Sequence, residues 1–340
     1  SVFCEKGLYT DDVEKMLNER IEQKFSKKLW SLLEKDEISL HRKDVWIIKR
    51  FLAIEALRTP DTPDFIHKFR ENLRQMCRDN PYSAEMLCGT HVSDVGSDES
   101  DTCYWMRTIE TLLEMDEFTT TAVDSNPRGT ALAHYFTLAF TAGYLGFWDA
   151  DSMDEFVITD VGMTSETEVG AIEGGEYGIR KMEAMLHIAA STPPELERES
   201  AYCRIMIGWL MTFHENFYMF PISSRRMIVL INPFFKFMLT NRFLFPGIGL
   251  EHFTLLNDER LFAPNRSICN YDGEHLDSDT YTYTPTPLSA FQTRYCNALF
   301  MDRVDTWLGF GSLERIKGSA ETYREMANLH PRNNYTALYH

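Results

Sequence analysis

The sequence predicts an α+β protein, predominantly helical, with an N-terminal helical layer packed on a mixed portion that carries a few short strands. Three observations predict it. Apolar residues recur at helical spacing through the first third of the chain, as in Val13, Leu17, Ile21, Phe25, Leu29 and Leu32. The character changes after the turn Asn126-Pro127-Arg128-Gly129, where aromatic and β-branched runs begin. Helical spacing then returns in the last fifty residues.

The first helix is expected to begin near Asp11, with Glu14 placed three residues on as a capping-box partner. A second, about Asp44 to Leu57, is apolar nearly all round, which marks it as buried, with Trp46, Ile47, Phe51 and Ile54 in the core. A third opens at Thr62-Pro63, and a fourth spans about Thr102 to Met115. Between them, Gly89 to Asp101 is rich in Ser, Gly and Asp and is expected to be a mobile surface loop. Strand-like runs follow at Tyr135 to Phe140, Gly143 to Trp148 and Phe156 to Thr159. Two further helices are expected near Tyr177 to Ala190 and Pro194 to His214. Then come two strands, Phe217 to Ile222 and Met227 to Ile231, joined through Ser223-Ser224-Arg225-Arg226. The stretch Cys269 to Pro287 reads as a loop, and closing helices are expected near Pro287 to Met301 and Ser312 to Ala327. A helical region over 1–118 and an α+β region over 119–340 follow from this pattern. With no linker between them, they can equally be one continuous domain.

With 51 acidic against 34 basic residues the net charge is −17, a field that repels phosphate backbones and anionic lipid. Seven scattered cysteines without a CxxC pair argue for reduced thiols rather than a disulfide framework or zinc ribbon. No uninterrupted apolar run is long enough to span a membrane, and no leader segment opens the chain, so a cytoplasmic location is expected. The motifs GxxxxGK[ST], GxGxxG, HExxH and GxSxG are absent, which removes the enzyme classes they mark from the favoured readings.

Several residue groups suit chemistry. Asp160 ends an apolar strand beside Gly162, a place where a catalytic acid or metal ligand is often held, or where a carboxylate simply caps a turn. With Glu166 and Glu168 it makes a carboxylate trio suited to Mg²⁺. His214 and Glu215 are the minimal acid/base pair, although adjacent residues on a helix do not face each other. Ser223, Arg225 and Arg226 occupy a tight connection where guanidinium forks clamp a phosphate or carboxylate, or form internal salt bridges. Arg58 closes a buried helix and is expected to meet that helix's carbonyls or a buried acid.

Four segments taken together resemble the bacterial family catalogued as domain of unknown function 4238. They are the helix ending in Arg58-Thr59-Pro60, the strand Phe156-Val157-Ile158-Thr159-Asp160, the segment Phe220-Pro221-Ile222-Ser223-Ser224, and the element around Asn297 with the last helix. The chain departs from the family pattern at Val161-Gly162, where an Asn-Pro often follows the strand Asp. It departs again at Ser1-Val2-Phe3, where members open with a His-Tyr-Val-Pro-Gln-like segment. The resemblance implies a bacterial, cytosolic protein of unassigned activity, some of whose relatives are associated with defence against phage. A binding or effector module without a cofactor is the leading expectation, and a homo-oligomer is compatible with it. The alternative is a Mg²⁺-dependent hydrolase acting on phosphodiesters, with Asp160, Glu166 or Glu168 as ligands, His214 as base and Arg225 or Arg226 on the phosphate.

Overall fold

The computed structural model describes residues 11–33, 35–58, 62–79, 81–166, 217–231 and 280–329. The expected helices Tyr177 to Ala190 and Pro194 to His214 lie outside them. The first helix is interrupted: α1 (Asp11–Leu17) passes through one π-helical stretch, Asn18–Glu22, into α2 (Gln23–Leu33). Then come β1 (Ile38–His41), α3 (Arg42–Ala56), α4 (Thr62–Asp79), α5 (Pro81–Cys88) and a 3₁₀ helix, Gly89–Gly96. After α6 (Asp101–Glu114), α7 (Thr120–Asp124) and α8 (Ala131–Ala142), the strands β2 (Tyr144–Asp149), β3 (Ile158–Thr159), β4 (Thr164–Glu166), β5 (Phe217–Pro221) and β6 (Arg226–Ile231) follow. The described residues close with β7 (Thr280–Tyr283), β8 (Thr286–Pro287), α9 (Ala290–Arg303), β9 (Leu308–Gly309) and α10 (Leu313–Leu329).

A five-stranded sheet in the order β4-β5-β6-β2-β8 forms the middle layer, antiparallel except for the β2–β8 pair. Side chains alternate faces along a strand. On β2 and β6, Leu145, Phe147, Ile228 and Leu230 join the core of the helical layer, while Trp148, Met227 and Val229 join a second core under α9 and α10. Burial on both faces explains why these strands read as continuous apolar runs rather than an alternation. Two smaller antiparallel pairs, β1–β7 and β3–β9, sit beside it.

Three expectations fail. Residues Tyr135 to Phe140 lie within helix α8, capped by the Thr130 hydroxyl, which accepts from the Ala133 amide at 3.0 Å. A short apolar run buried all round does not declare its period, and the cap decides. The stretch Gly89 to Asp101 contains the 3₁₀ helix, and three arginines hold it. Arg70 donates to the Ser97 and Glu99 carbonyls (3.1 and 2.9 Å), Arg74 to the Val95 carbonyl (2.9 Å), and Arg107 to the Glu99 carboxylate (2.7 and 3.3 Å). The end of the stretch read as a loop up to Pro287 supplies β7 and β8.

Helix α3 is buried as expected, with Ile54 at 0% and Phe51 at 7% exposure, while Trp46 and Ile47 pack against the core half-buried. Phe51 stacks on Phe25 at 3.9 Å and Phe220 meets Phe51 edge-on at 5.2 Å, so two of the four segments quoted above touch. Such aromatic contacts add to the area they bury. Lys49 is buried on the same helix and is satisfied by the carbonyls of Thr141 (3.0 Å) and Gly143 (2.8 Å) at the C-terminal end of α8. A cation there meets the negative end of the helix dipole.

Candidate functional site

Asp160 follows β3, and its carboxylate faces backbone. It accepts from the amides of Asp305 (3.2 Å) and Thr306 (2.6 Å) and from the Thr306 hydroxyl, while its own amide donates to the Trp307 carbonyl. Partial desolvation pushes the carboxyl up. The donors on Thr306, Asp305 and Trp307 outweigh it and hold the group below the usual carboxylate range. Of the roles expected of it, turn capping is what the geometry shows, and the capped turn is the α9–β9 connection rather than the one at Gly162.

At the other end of β3, Glu155 is buried, and one of its oxygens accepts from the Gly311 and Ser312 amides, both at 2.7 Å. That is an anion at the N-terminus of α10, where unpaired amides and the helix dipole favour it. Two carboxylates flanking one short strand therefore fix the strap 305–312 at both ends. Residues Thr159 and Leu308 pair inward, whereas Ile158 and Gly309 pair on the outer side. A Cβ on Gly309 would lie 3.6 Å from the Trp307 ring, so that ring lies along the outer side as well. Exposure is high for a set of large apolar side chains on and beside this strap: Ile158 40%, Trp307 53%, Phe310 46% and Leu313 72%.

Asn297, fully buried on α9, locks β3 to this end of the fold. Its oxygen accepts from the Val157 amide (3.0 Å), and its amide group donates to the Glu155 carbonyl (2.7 Å) and the Ser319 hydroxyl (2.8 Å). Arg294, one turn earlier, pairs with buried Asp154 at 3.1 Å. A Cβ at position 318 would come within 2.5 Å of the Arg294 side chain, so Gly318 is what lets it pass along α10.

The predicted arginines are committed internally. Arg225 donates to the carbonyls of Ala150, Asp151 and Asp154 at 2.9–3.1 Å. Arg226 is buried, grips Asp149 with both prongs (2.6 and 2.7 Å), and donates to the Leu32 and Lys35 carbonyls (2.6 and 2.8 Å). Ser223 accepts from the Arg225 and Arg226 amides, which closes the β5–β6 turn. Arg58 meets two acids, Glu55 (2.7 Å) and Glu22 (3.2 Å), both of them partly exposed. Glu166 lies on β4 opposite Phe217. His214, Glu215 and Glu168 lie outside the described residues. Among the described residues no group of three or more His, Cys, Asp or Glu side chains is arranged to hold a metal ion.

A second polar centre, around the 3₁₀ helix, escaped the sequence reading. His134 Nδ1 lies 2.9 Å from Asp124, and His91 lies 3.0 Å from the Val123 carbonyl. Gly89 sits at φ +57, and a Cβ there would meet Asp124 at 2.3 Å and the His134 ring at 2.6 Å. Nearby, Asp94 pairs with Arg107 at 3.2 Å. Burial pushes the Asp94 carboxyl up to about 6 against the pull of Arg107. Buried Tyr104, whose hydroxyl accepts from the Leu132 amide at 3.0 Å, lies under the guanidiniums of Arg70 (4.8 Å) and Arg107 (5.6 Å). The only sequence signal for this centre was the glycine that opens the segment.

No described helix is long and apolar enough to cross a membrane. Comparison with family models, with curated proteins and with solved structures found no match to this chain.

Proposed function

We propose that the chain is a binding module, a cytosolic member of the family of unassigned function that it resembles, with the association with phage defence that this resemblance implies. Its working surface is the strap 305–312 with Ile158 and Leu313, and its partner is a protein that offers an apolar patch within a basic rim. The observation that carries this reading is the set of exposed side chains Ile158, Trp307, Phe310 and Leu313 on a backbone fixed by Asp160 and Glu155. Large apolar side chains exposed together on and beside one short segment suit an interaction surface, and Trp is enriched among the anchors of such surfaces. A strap already held in place loses little freedom on binding. The basic rim of the partner follows from the net charge of −17, which steers cationic surfaces inward and turns nucleic acid away.

The test uses the full chain, the double variant Trp307→Ser/Phe310→Ser, and the dye 1-anilinonaphthalene-8-sulfonate as an apolar probe. The wild type is expected to bind the dye while folded, and the variant to lose most of that binding with its melting temperature unchanged. Equal dye binding by the two proteins would remove the strap from the proposal. Mg²⁺-dependent hydrolysis of bis(p-nitrophenyl) phosphate that disappears in Asp160→Asn would replace the binding reading with that of a metal-dependent hydrolase.

A further inference from the structure

The segment Gly89–Asp101 is gripped from two helices, yet one atom at its centre is left over. Asp94 faces Arg107 through one oxygen and has the Ala131 amide, at the start of α8, beside its carboxylate, while its other oxygen is buried with no hydrogen bond of good geometry among the described residues. Arg107 is better satisfied elsewhere. It meets Glu99 at 2.7 and 3.3 Å and donates to the Gly129 carbonyl at 3.2 Å, so it keeps partners when Asp94 is neutral. The groups around Asp94 come from every element packed on the segment. Arg70 and Arg74 lie on α4, Cys88 at the end of α5, and Tyr104 and Arg107 on α6. Asp124 ends α7, His134 lies on α8, and His91 lies on the 3₁₀ helix itself.

We infer that Asp94 makes the segment 89–101 a proton-sensitive latch that is held more firmly at mildly acidic pH than at neutral pH. The direction follows from two opposed effects. Protonation surrenders one contact with Arg107, which loosens the segment. It also removes a charge from a site where burial outweighs the help of Arg107 and the Ala131 amide, which tightens it. Desolvation is the larger effect: burial pushes the carboxyl from the ordinary 3.8 up to about 6 against the pull of Arg107 and the Ala131 amide. A carboxyl raised on folding makes the closed state bind more protons than the open one, so stability falls as pH rises from 3.8 to 6. Between pH 7.5 and pH 5 the equilibrium for local opening is therefore expected to shift roughly tenfold toward the closed segment. Salt bridges between carboxylate and guanidinium ordinarily weaken on acidification, so the sign of the response is itself diagnostic.

Amide hydrogen exchange over residues 89–97 of the full chain, corrected for the intrinsic pH dependence of exchange, reads this directly. Protection should rise about tenfold from pH 7.5 to pH 5. In Asp94→Asn it should be high and flat across the range. His91→Gln is the control, since histidine ordinarily changes charge in this window, and that variant should keep the wild-type response. Protection that falls on acidification, or does not change, overturns the latch. Loss of the response in His91→Gln overturns the assignment to Asp94. Should Asp94→Asn fail to fold, a ¹³C carboxyl titration of the wild type decides: a lone Asp midpoint near 6 supports the latch, and ordinary midpoints throughout remove it.

Discussion

Asp94 and Asp160 are both aspartates on short irregular segments, and the fold drives them in opposite directions. Asp160, on the sheet side, is given donors: two backbone amides and a hydroxyl from the strap it holds. Asp94, on the helical side, is given burial, one guanidinium shared with Glu99 and the Ala131 amide, while one of its oxygens keeps no hydrogen bond of good geometry among the described residues. The first becomes a stronger acid and the second a weaker one. A carboxylate near charge is therefore not automatically stabilised, and the number and aim of its donors decide. The carboxylates that hold the strap are satisfied, whereas Asp94 keeps one oxygen in reserve.

Substitutions test this contrast. The largest effect is expected at the best-satisfied lock. Asn297→Leu leaves the Val157 amide and the Glu155 carbonyl buried without their partner, which should cost roughly 3–5 kcal/mol in denaturant unfolding. A cost under about 1 kcal/mol would show that the lock is not structural. On the helical side, Gly89→Ala combines a left-handed backbone with collision against the Asp124–His134 pair. It should cost about 2–3 kcal/mol, with displaced His134 resonances as the accompanying sign.

Asp160→Asn is a milder change. An amide still accepts one hydrogen bond, but it turns a donor toward a second backbone donor, so about 1–2 kcal/mol is expected. The pH dependence has a fixed sign. A carboxyl lowered on folding contributes stability that is present above its unfolded value and lost as pH falls below about 3.8. Wild type should therefore lose its advantage over Asp160→Asn in acid melts, and a gap that persists to pH 2 would contradict the assignment. The smallest effect belongs to Trp307→Ser, which should change stability by less than about 0.5 kcal/mol because the ring is 53% exposed. A large loss would mean that the ring is structural and the strap is not a binding surface.

Much of the architecture was legible in the sequence. The apolar helix around Phe51, the strand pair from Phe217 to Ile231 and the closing helices followed from period and punctuation, because these elements carry their own signals. Helix α8 was misread because a run buried on all sides has no amphipathic face to reveal its period. The site was less legible. Asp160 stood out by position, but its partners lie 145 and 146 residues away, and nothing local announces Asp305 or Thr306. Arg225 and Arg226 looked available for a ligand because their carbonyl partners carry no side-chain signature. The arginines that hold Gly89 to Asp101 were hidden for the same reason, so a polar, glycine-opened stretch read as mobile although it is pinned.

Arg226 carries a consequence for how the chain assembles. It joins the end of α2 to the middle sheet across 191 and 194 residues of sequence, through the Lys35 and Leu32 carbonyls. Contacts so far apart in the chain form only after long loops have closed, and they weigh against rapid folding. A tie of this kind is expected to form after the main barrier to folding, where it acts on the rate of escape from the native state rather than on the rate of arrival. Arg226→Met should then accelerate unfolding severalfold or more and leave refolding nearly unchanged, which makes this one guanidinium a determinant of lifetime rather than of foldability.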